Sequence, residues 1–196
     1  MLGYRGVMTL KSLPNLVTAA RIALSVLVFA ALATAGGLGP ALGTVEPALR
    51  SGLIRFALWG FIIAALTDFV DGWLARKLDA RSAIGVMLDP IADKIAVVAA
   101  IIGLCVLDAP LVAWPGALIL MRELFVAGLR ETGMKLPVTQ LAKWKTTVQL
   151  TGLACAIACL EWPTLRTPAE GLLWLAAVLT VWTGMDYLLK TLRAMG

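Results

Sequence analysis

The chain of 196 residues contains no histidine, and only 15% of its residues are charged. The absence of histidine excludes acid–base chemistry by imidazole and any histidine-ligated metal site. Its three cysteines (Cys105, Cys155 and Cys159) lie in apolar segments without CxxC spacing, so neither a disulfide framework nor a zinc site is expected. With so little charge and a mean hydropathy of +0.89, the chain is not a soluble globular domain.

Long apolar segments make up most of the chain. A helix that crosses a bilayer core needs about 20 apolar residues. Segments of this kind cover about 16–35, 53–78, 84–107, 111–131, 143–161 and 169–191. The sequence therefore predicts an all-α integral membrane protein with six transmembrane helices in a single domain, 1–196. Residues 1–13 are predicted to form a short amphipathic segment at the membrane surface, with a disordered terminus as the alternative. No cleavage pattern precedes the first span, so no cleaved signal peptide is expected.

Lysine and arginine are unevenly distributed between the two ends of these spans. One end carries Arg5, Lys11, Arg76, Lys77, Arg81, Arg130, Lys135, Lys143, Lys145, Lys190 and Arg193. The other end carries only Arg50, Arg55 and Arg166. Because basic connections stay in the cytoplasm, both termini are predicted to be cytoplasmic in a protein of the inner (cytoplasmic) membrane.

Four aspartates interrupt the second and third apolar segments: Asp68, Asp71, Asp89 and Asp93. Residues three or four apart share one face of a helix, so each pair is expected on a single face. The polar residues 76–82 indicate a helical hairpin, which brings both pairs to the same, cytoplasmic end of two helices. Clustered carboxylates repel one another, and hard divalent cations relieve that repulsion. Two metal ions held by shared acids stabilise displacement at phosphorus, so these residues predict phosphoryl-type chemistry at a membrane.

The spacing of this segment also resembles a family signature. The pattern Asp68-x2-Asp71-Gly72-x2-Ala75-Arg76-x8-Gly85-x3-Asp89-x3-Asp93 is similar to that of the CDP-alcohol phosphatidyltransferases, with every fixed position filled. The resemblance implies that Asp68, Asp71 and Asp89 hold two divalent ions, Mg²⁺ or Mn²⁺. It implies that Asp93 deprotonates the acceptor alcohol and also touches the second metal ion.

The same resemblance implies a homodimer and a binding site for a CDP-lipid. The residues that would contact this donor are Gly72, Ala75, Arg76 and Gly85. Small residues let a nucleotide approach the backbone, and Arg76 would pair with diphosphate oxygens. The structural alternatives are close helix packing through the small residues and a loop arginine placed by the positive-inside rule.

Three further stretches resemble the bacterial phosphatidylglycerophosphate synthases within this family. They are Pro14-Asn15-x2-Thr18-x2-Arg21, Lys143-x-Lys145-Thr146-x2-Gln149, and Met121-Arg122-Glu123 with Arg130 beyond it. The resemblance covers about 12–190 and implies CDP-diacylglycerol as donor and glycerol 3-phosphate as acceptor.

An acceptor of this charge needs several cationic donors. Candidates on the cytoplasmic side are Arg122, Arg130, Lys143 and Lys145. The positive-inside rule would also place basic residues here, and Arg122 with Glu123 forms a structural ion pair in the alternative interpretation.

The sequence is also compatible with other functions. The same chemistry serves other acceptors: phosphatidylglycerol, as in cardiolipin synthases, inositol phosphate or serine. A membrane prenyltransferase also carries acids on facing helices, but such chains are longer and lack the Gly72-x2-Ala75-Arg76 insertion. A cation transporter would place its ion site near the midplane between inverted repeats, and no repeat is visible here.

Overall fold

The computed structural model describes the backbone of 3–38, 45–78, 83–131 and 140–195, and the side chains of 16–38, 45–67, 91–92, 94–129 and 144–193. Its elements are six helices: α1 (Gly3–Ala35), α2 (Pro47–Leu78), α3 (Ala83–Val106), α4 (Pro110–Glu131), α5 (Gln140–Ala158) and α6 (Arg166–Met195). A 3₁₀ turn, Pro163–Leu165, precedes α6. Each predicted span corresponds to one helix, and no strand occurs in the described part of the chain. The prediction of an all-α protein is confirmed.

Four helices are long and apolar enough to cross a membrane within the residues that the structure describes. They contain the segments Leu16–Ala35, Pro47–Thr67, Pro110–Leu129 and Pro163–Arg193. The apolar part of α3, Lys94–Val106, is shorter. The chain is therefore a multi-pass membrane protein, whereas the six crossings remain a prediction.

The N-terminal segment is helical and joins the first span directly. Residues 3–13 are helical but continue into the first span without a break, since α1 runs through Pro14 to Ala35. Membrane helices tolerate a proline because neighbouring groups and small backbone adjustments satisfy the freed carbonyl. The position of 1–13 at the membrane surface stays a prediction.

Contacts divide the chain into two compact units, Met1–Gly103 and Leu104–Gly196. In the first unit α1 packs against α2 and α3 through glycines. A Cβ atom at Gly60 would lie 3.0 Å from Val28 Cγ2, and one at Gly103 would lie 2.8 Å from Leu32. Such close approach of helices through small residues is typical of membrane packing, where van der Waals contact drives association.

In the second unit α6 packs against α4 and α5. A Cβ atom at Gly152 would lie 3.3 Å from the backbone of Leu172, so α5 and α6 are in close contact there. Ile119, Leu153 and Leu173 are fully buried between these helices. Large apolar side chains such as Trp114 and Trp182 face outward, as expected for a surface in contact with lipid.

Candidate functional site

The four aspartates lie on two successive helices at matched depths. Leu78, the last residue of α2, is ten residues beyond Asp68 and seven beyond Asp71. Ala83, the first residue of α3, is six residues before Asp89 and ten before Asp93. At 1.5 Å per residue, the acids stand about 15 and 10 Å from the end of α2 and about 9 and 15 Å from the start of α3. Each acid of α2 thus has a counterpart on α3 at a similar depth.

This arrangement fits divalent metal ions. Four residues separate α2 from α3, and helices joined by so short a connection are expected to be antiparallel neighbours. Four aspartates on these two helices, in a chain without histidine, would offer an oxygen-only donor set of the kind that Mg²⁺ or Mn²⁺ prefers.

Many predicted site residues lie outside the part of the chain whose side chains the structure describes. These are Asp68, Asp71, Gly72, Ala75, Arg76, Gly85, Asp89, Asp93, Arg130 and Lys143. Among the side chains that the structure does describe, no group of three metal-ligating residues occurs. The predicted metal ligands and CDP-lipid contacts therefore stay predictions.

The second unit contains a cluster of charged side chains on α4, α5 and α6. Glu123 accepts a hydrogen bond from Arg122 Nη1 at 3.1 Å and another from Lys145 Nζ. Arg122 Nη2 also donates to Thr183 Oγ1 at 3.2 Å. The structure therefore brings together two of the four predicted acceptor-binding residues, which are 23 positions apart in the sequence.

The cluster is largely buried. The side chains of Lys145, Arg122 and Glu123 are 7%, 12% and 21% exposed. One carboxylate faces two cations, so the three side chains carry a net positive charge in a region of low dielectric. An exposed pair such as Arg166–Glu170, with 62% and 42% exposure, is far weaker by comparison. A buried cationic cluster of this kind can bind a phosphate or carboxylate group through charge-assisted hydrogen bonds.

Two residues of this cluster were not predicted from the sequence. Thr183 accepts a hydrogen bond from Arg122, and its own hydroxyl donates a hydrogen bond to the backbone oxygen of Leu179 at 2.8 Å. Gly184 leaves room for Arg122, because a Cβ atom there would lie 2.9 Å from Arg122 Cγ. Both lie about 60 positions from Arg122 on an apolar helix, where no local spacing signals their role.

Glu123 has a larger role than the sequence suggested. A structural ion pair with Arg122 is one interpretation of the sequence, and that pair is present. Glu123 also pairs with Lys145 across two helices, so it positions both basic side chains.

Comparison with known proteins gives a consistent result. Residues 11–182 match the family model described as CDP-alcohol phosphatidyltransferase. A protein of Cereibacter sphaeroides named CDP-diacylglycerol–glycerol-3-phosphate 3-phosphatidyltransferase is 39% identical, covering 70% of this chain and 81% of the relative. A Rickettsia felis protein of the same name is 36% identical over 90% of this chain and 93% of its own length. A Haemophilus influenzae protein of that name is 36% identical, covering 65% of this chain and 72% of the relative.

Proposed function

Because the chain belongs to the CDP-alcohol phosphatidyltransferase family, we propose that it transfers the phosphatidyl group of CDP-diacylglycerol to glycerol 3-phosphate. The products are phosphatidylglycerophosphate and CMP. The observation that carries this conclusion is the similarity to relatives named for this reaction, one of which is matched over 90% of the chain. The chain is therefore a phosphatidyltransferase of phospholipid biosynthesis.

The donor would bind at the acid hairpin, by which we mean the ends of α2 and α3 that carry Asp68, Asp71, Asp89 and Asp93. Asp68, Asp71 and Asp89 would hold divalent ions, with Asp93 touching the second. When bound, such ions supply charge stabilisation at the diphosphate. Gly72, Ala75, Arg76 and Gly85 would contact the CDP portion. Their places on α2 and α3, each within five residues of one of these aspartates, support this assignment.

Asp93 acts as the general base in the proposed reaction. It accepts the proton of an acceptor hydroxyl, whose oxygen attacks the phosphorus atom of the phosphatidyl group. The bond between that phosphorus and the CMP oxygen breaks, and CMP leaves. A carboxylate suits this role when it lies near the hydroxyl and keeps an oxygen free of metal.

The acceptor would bind at the basic cluster of the second unit, which consists of Arg122, Glu123 and Lys145. Arg122 and Lys145 are held by Glu123, so their orientation is fixed before a substrate arrives. Preorganised donors bind a phosphate dianion with less loss of side-chain entropy than mobile lysines do. Arg130 and Lys143 would add two further cations.

The cluster also favours glycerol 3-phosphate over other acceptors. Serine offers a single carboxylate beside an ammonium group, which two cations would repel. Phosphatidylglycerol needs an apolar groove for its second pair of acyl chains rather than buried cations. Inositol phosphate has the same phosphate charge, and the names of the relatives distinguish it from glycerol 3-phosphate.

A panel of acceptors tests the proposal. The detergent-purified chain is given CDP-diacylglycerol and Mg²⁺ with glycerol 3-phosphate, inositol phosphate, serine or phosphatidylglycerol, and CMP release is measured. We expect release with glycerol 3-phosphate and loss of release with EDTA. Release with another acceptor alone would overturn the acceptor assignment, and no release with any alcohol would overturn the family chemistry for this chain.

We also infer the setting in which the enzyme works. The basic ends of the spans favour a cytoplasmic position for the acid hairpin, and the bacterial relatives support an inner-membrane location. The family resemblance supports a homodimer.

A further inference from the structure

A buried arginine on α1, Arg21, has no role in the proposed function. Arg21 lies within the span Leu16–Ala35, five residues after its first residue, and only 3% of it is exposed. The Ser25 hydroxyl donates to the backbone oxygen of Arg21 at 2.8 Å, a contact that does not involve the guanidinium. A charged group inside a membrane span is costly unless an opposite charge accompanies it.

The acids of the first unit are concentrated in one place. Of its six acidic residues, five lie within 68–93, and the sixth, Glu46, is exposed at the start of α2. An anionic environment for Arg21 within this unit is therefore expected from the acid hairpin rather than from Glu46.

The packing of α1 on α3 places Arg21 at the depth of these acids. Leu32 contacts Gly103, and the two helices also line a common apolar groove on the N-terminal side of that contact, with Val26 on α1 and Ile95 on α3. The two helices therefore run in the same direction.

Counting back from the Leu32–Gly103 contact gives the register. Arg21 precedes Leu32 by eleven residues, or about 16 Å, and Asp93 precedes Gly103 by ten residues, or about 15 Å. Thr18, also buried, stands about 21 Å before the contact, at the level of Asp89. Two buried polar residues of α1 thus match two aspartates of α3 in depth.

We propose that Arg21 is a charge-compensating residue of the acid site. Its guanidinium offsets the repulsion among the four carboxylates before metal binds. The same positive charge lowers the affinity of these carboxylates for divalent cations. This inference rests on the proposed metal site. It also gives a physical reason for the arginine that ends the Pro14–Arg21 stretch.

Mn²⁺ binding to the full-length purified chain tests the proposal without using activity. Free Mn²⁺ is measured by electron paramagnetic resonance for the wild type, Arg21→Met, Arg21→Lys and Ser25→Ala. Removing one positive charge is expected to tighten Mn²⁺ binding about 10-fold. Arg21→Lys retains the charge and should stay within about 2-fold of the wild type. Ser25 is also buried on α1, and Ser25→Ala removes only its hydrogen bond to the backbone oxygen of Arg21. This control should leave the Mn²⁺ affinity unchanged.

Thermal unfolding separates this role from simple packing. Arg21→Met should lower the unfolding temperature of the metal-free protein, and saturating Mn²⁺ should close much of the gap, because tighter binding stabilises the folded state more. If Arg21→Met does not fold, Arg21→Gln also removes the charge and carries the same expectation.

Two outcomes would overturn these claims separately. Equal destabilisation with and without Mn²⁺, at unchanged or weaker Mn²⁺ affinity, would reduce Arg21 to a packing role. A wild-type protein that binds no Mn²⁺ would instead contradict the metal site and, with it, the proposed function.

Discussion

At the scale of single residues, Glu123 orients both cations of the basic cluster. Its carboxylate faces Arg122 on its own helix and Lys145 on α5. Removing one partner from a largely buried charge group leaves the others uncompensated, and this loss exceeds the net stability of the group itself. Exposed pairs behave differently, since water compensates either partner.

Glu123→Gln should therefore destabilise the protein by about 2–3 kcal/mol, slightly less than the loss typical of a fully buried pair. Tryptophan fluorescence during thermal unfolding in detergent measures this. The matched control is Glu170→Gln, whose exposed partner is Arg166; there we expect a loss of about 0.5 kcal/mol or less. Equal effects of the two variants would show that the Glu123 cluster is not electrostatically coupled.

Lys145→Ala should raise the KM for glycerol 3-phosphate by about 10-fold or more, since a charge-assisted hydrogen bond contributes about 1.5–3 kcal/mol. The KM for CDP-diacylglycerol should not change. Lys190→Ala, which removes an exposed lysine paired with Asp186 on α6, is the control and should leave both constants unaltered. An unchanged acceptor KM in Lys145→Ala would remove this residue from the acceptor site.

At the scale of elements, glycines set where the helices touch. Gly184 on α6 allows Arg122 of α4 to lie against the helix backbone, and Gly171 on the same helix has open space around it. Helix α6 thus has one glycine, Gly184, in contact with Arg122 and another, Gly171, with no neighbouring side chain. The pair makes a controlled comparison.

Gly184→Ala should displace Arg122 from Thr183 and raise the KM for glycerol 3-phosphate several-fold, because the new Cβ atom would lie 2.9 Å from Arg122 Cγ. Stability should change little or fall, as the crowding opposes the helix propensity of alanine. Gly171→Ala should instead gain up to about 1 kcal/mol from propensity alone, with unchanged kinetics. Identical kinetics in both variants would contradict the proposed position of Arg122.

The elements themselves follow largely from hydropathy, and their ends do not. Helix α2 begins at Pro47 rather than near 53, because proline is well suited to the first helical position and polar residues continue the helix. The acid pairs follow from the three- and four-residue spacings, which act within one helix. The contacts of Arg122 with Thr183 and of Glu123 with Lys145 join separate helices, and a periodic pattern within one helix contains no information about them.

At the scale of the whole molecule, the membrane topology determines on which side of the membrane the proposed reaction takes place. The basic residues predict that the termini and 79–82 face the cytoplasm and that the turn at 163–165 faces the opposite side.

Single cysteines introduced into a chain without Cys105, Cys155 and Cys159 test the topology. Ala80→Cys should react with a membrane-impermeant maleimide only after the cells are opened, and Thr164→Cys should react in intact cells. Reaction of both positions from the same side would contradict six crossings with both termini inside.

The most direct measurement is transfer of labelled glycerol 3-phosphate into lipid by the purified chain, with CDP-diacylglycerol and Mg²⁺ present. We expect one CMP for each labelled lipid formed, no transfer by Asp93→Asn, and CDP-diacylglycerol still bound by that variant. Asp79→Asn, which changes an aspartate between the two pairs, should retain transfer. Labelled lipid from Asp93→Asn at the wild-type rate, or none from the wild type, would contradict phosphatidyl transfer at the acid hairpin.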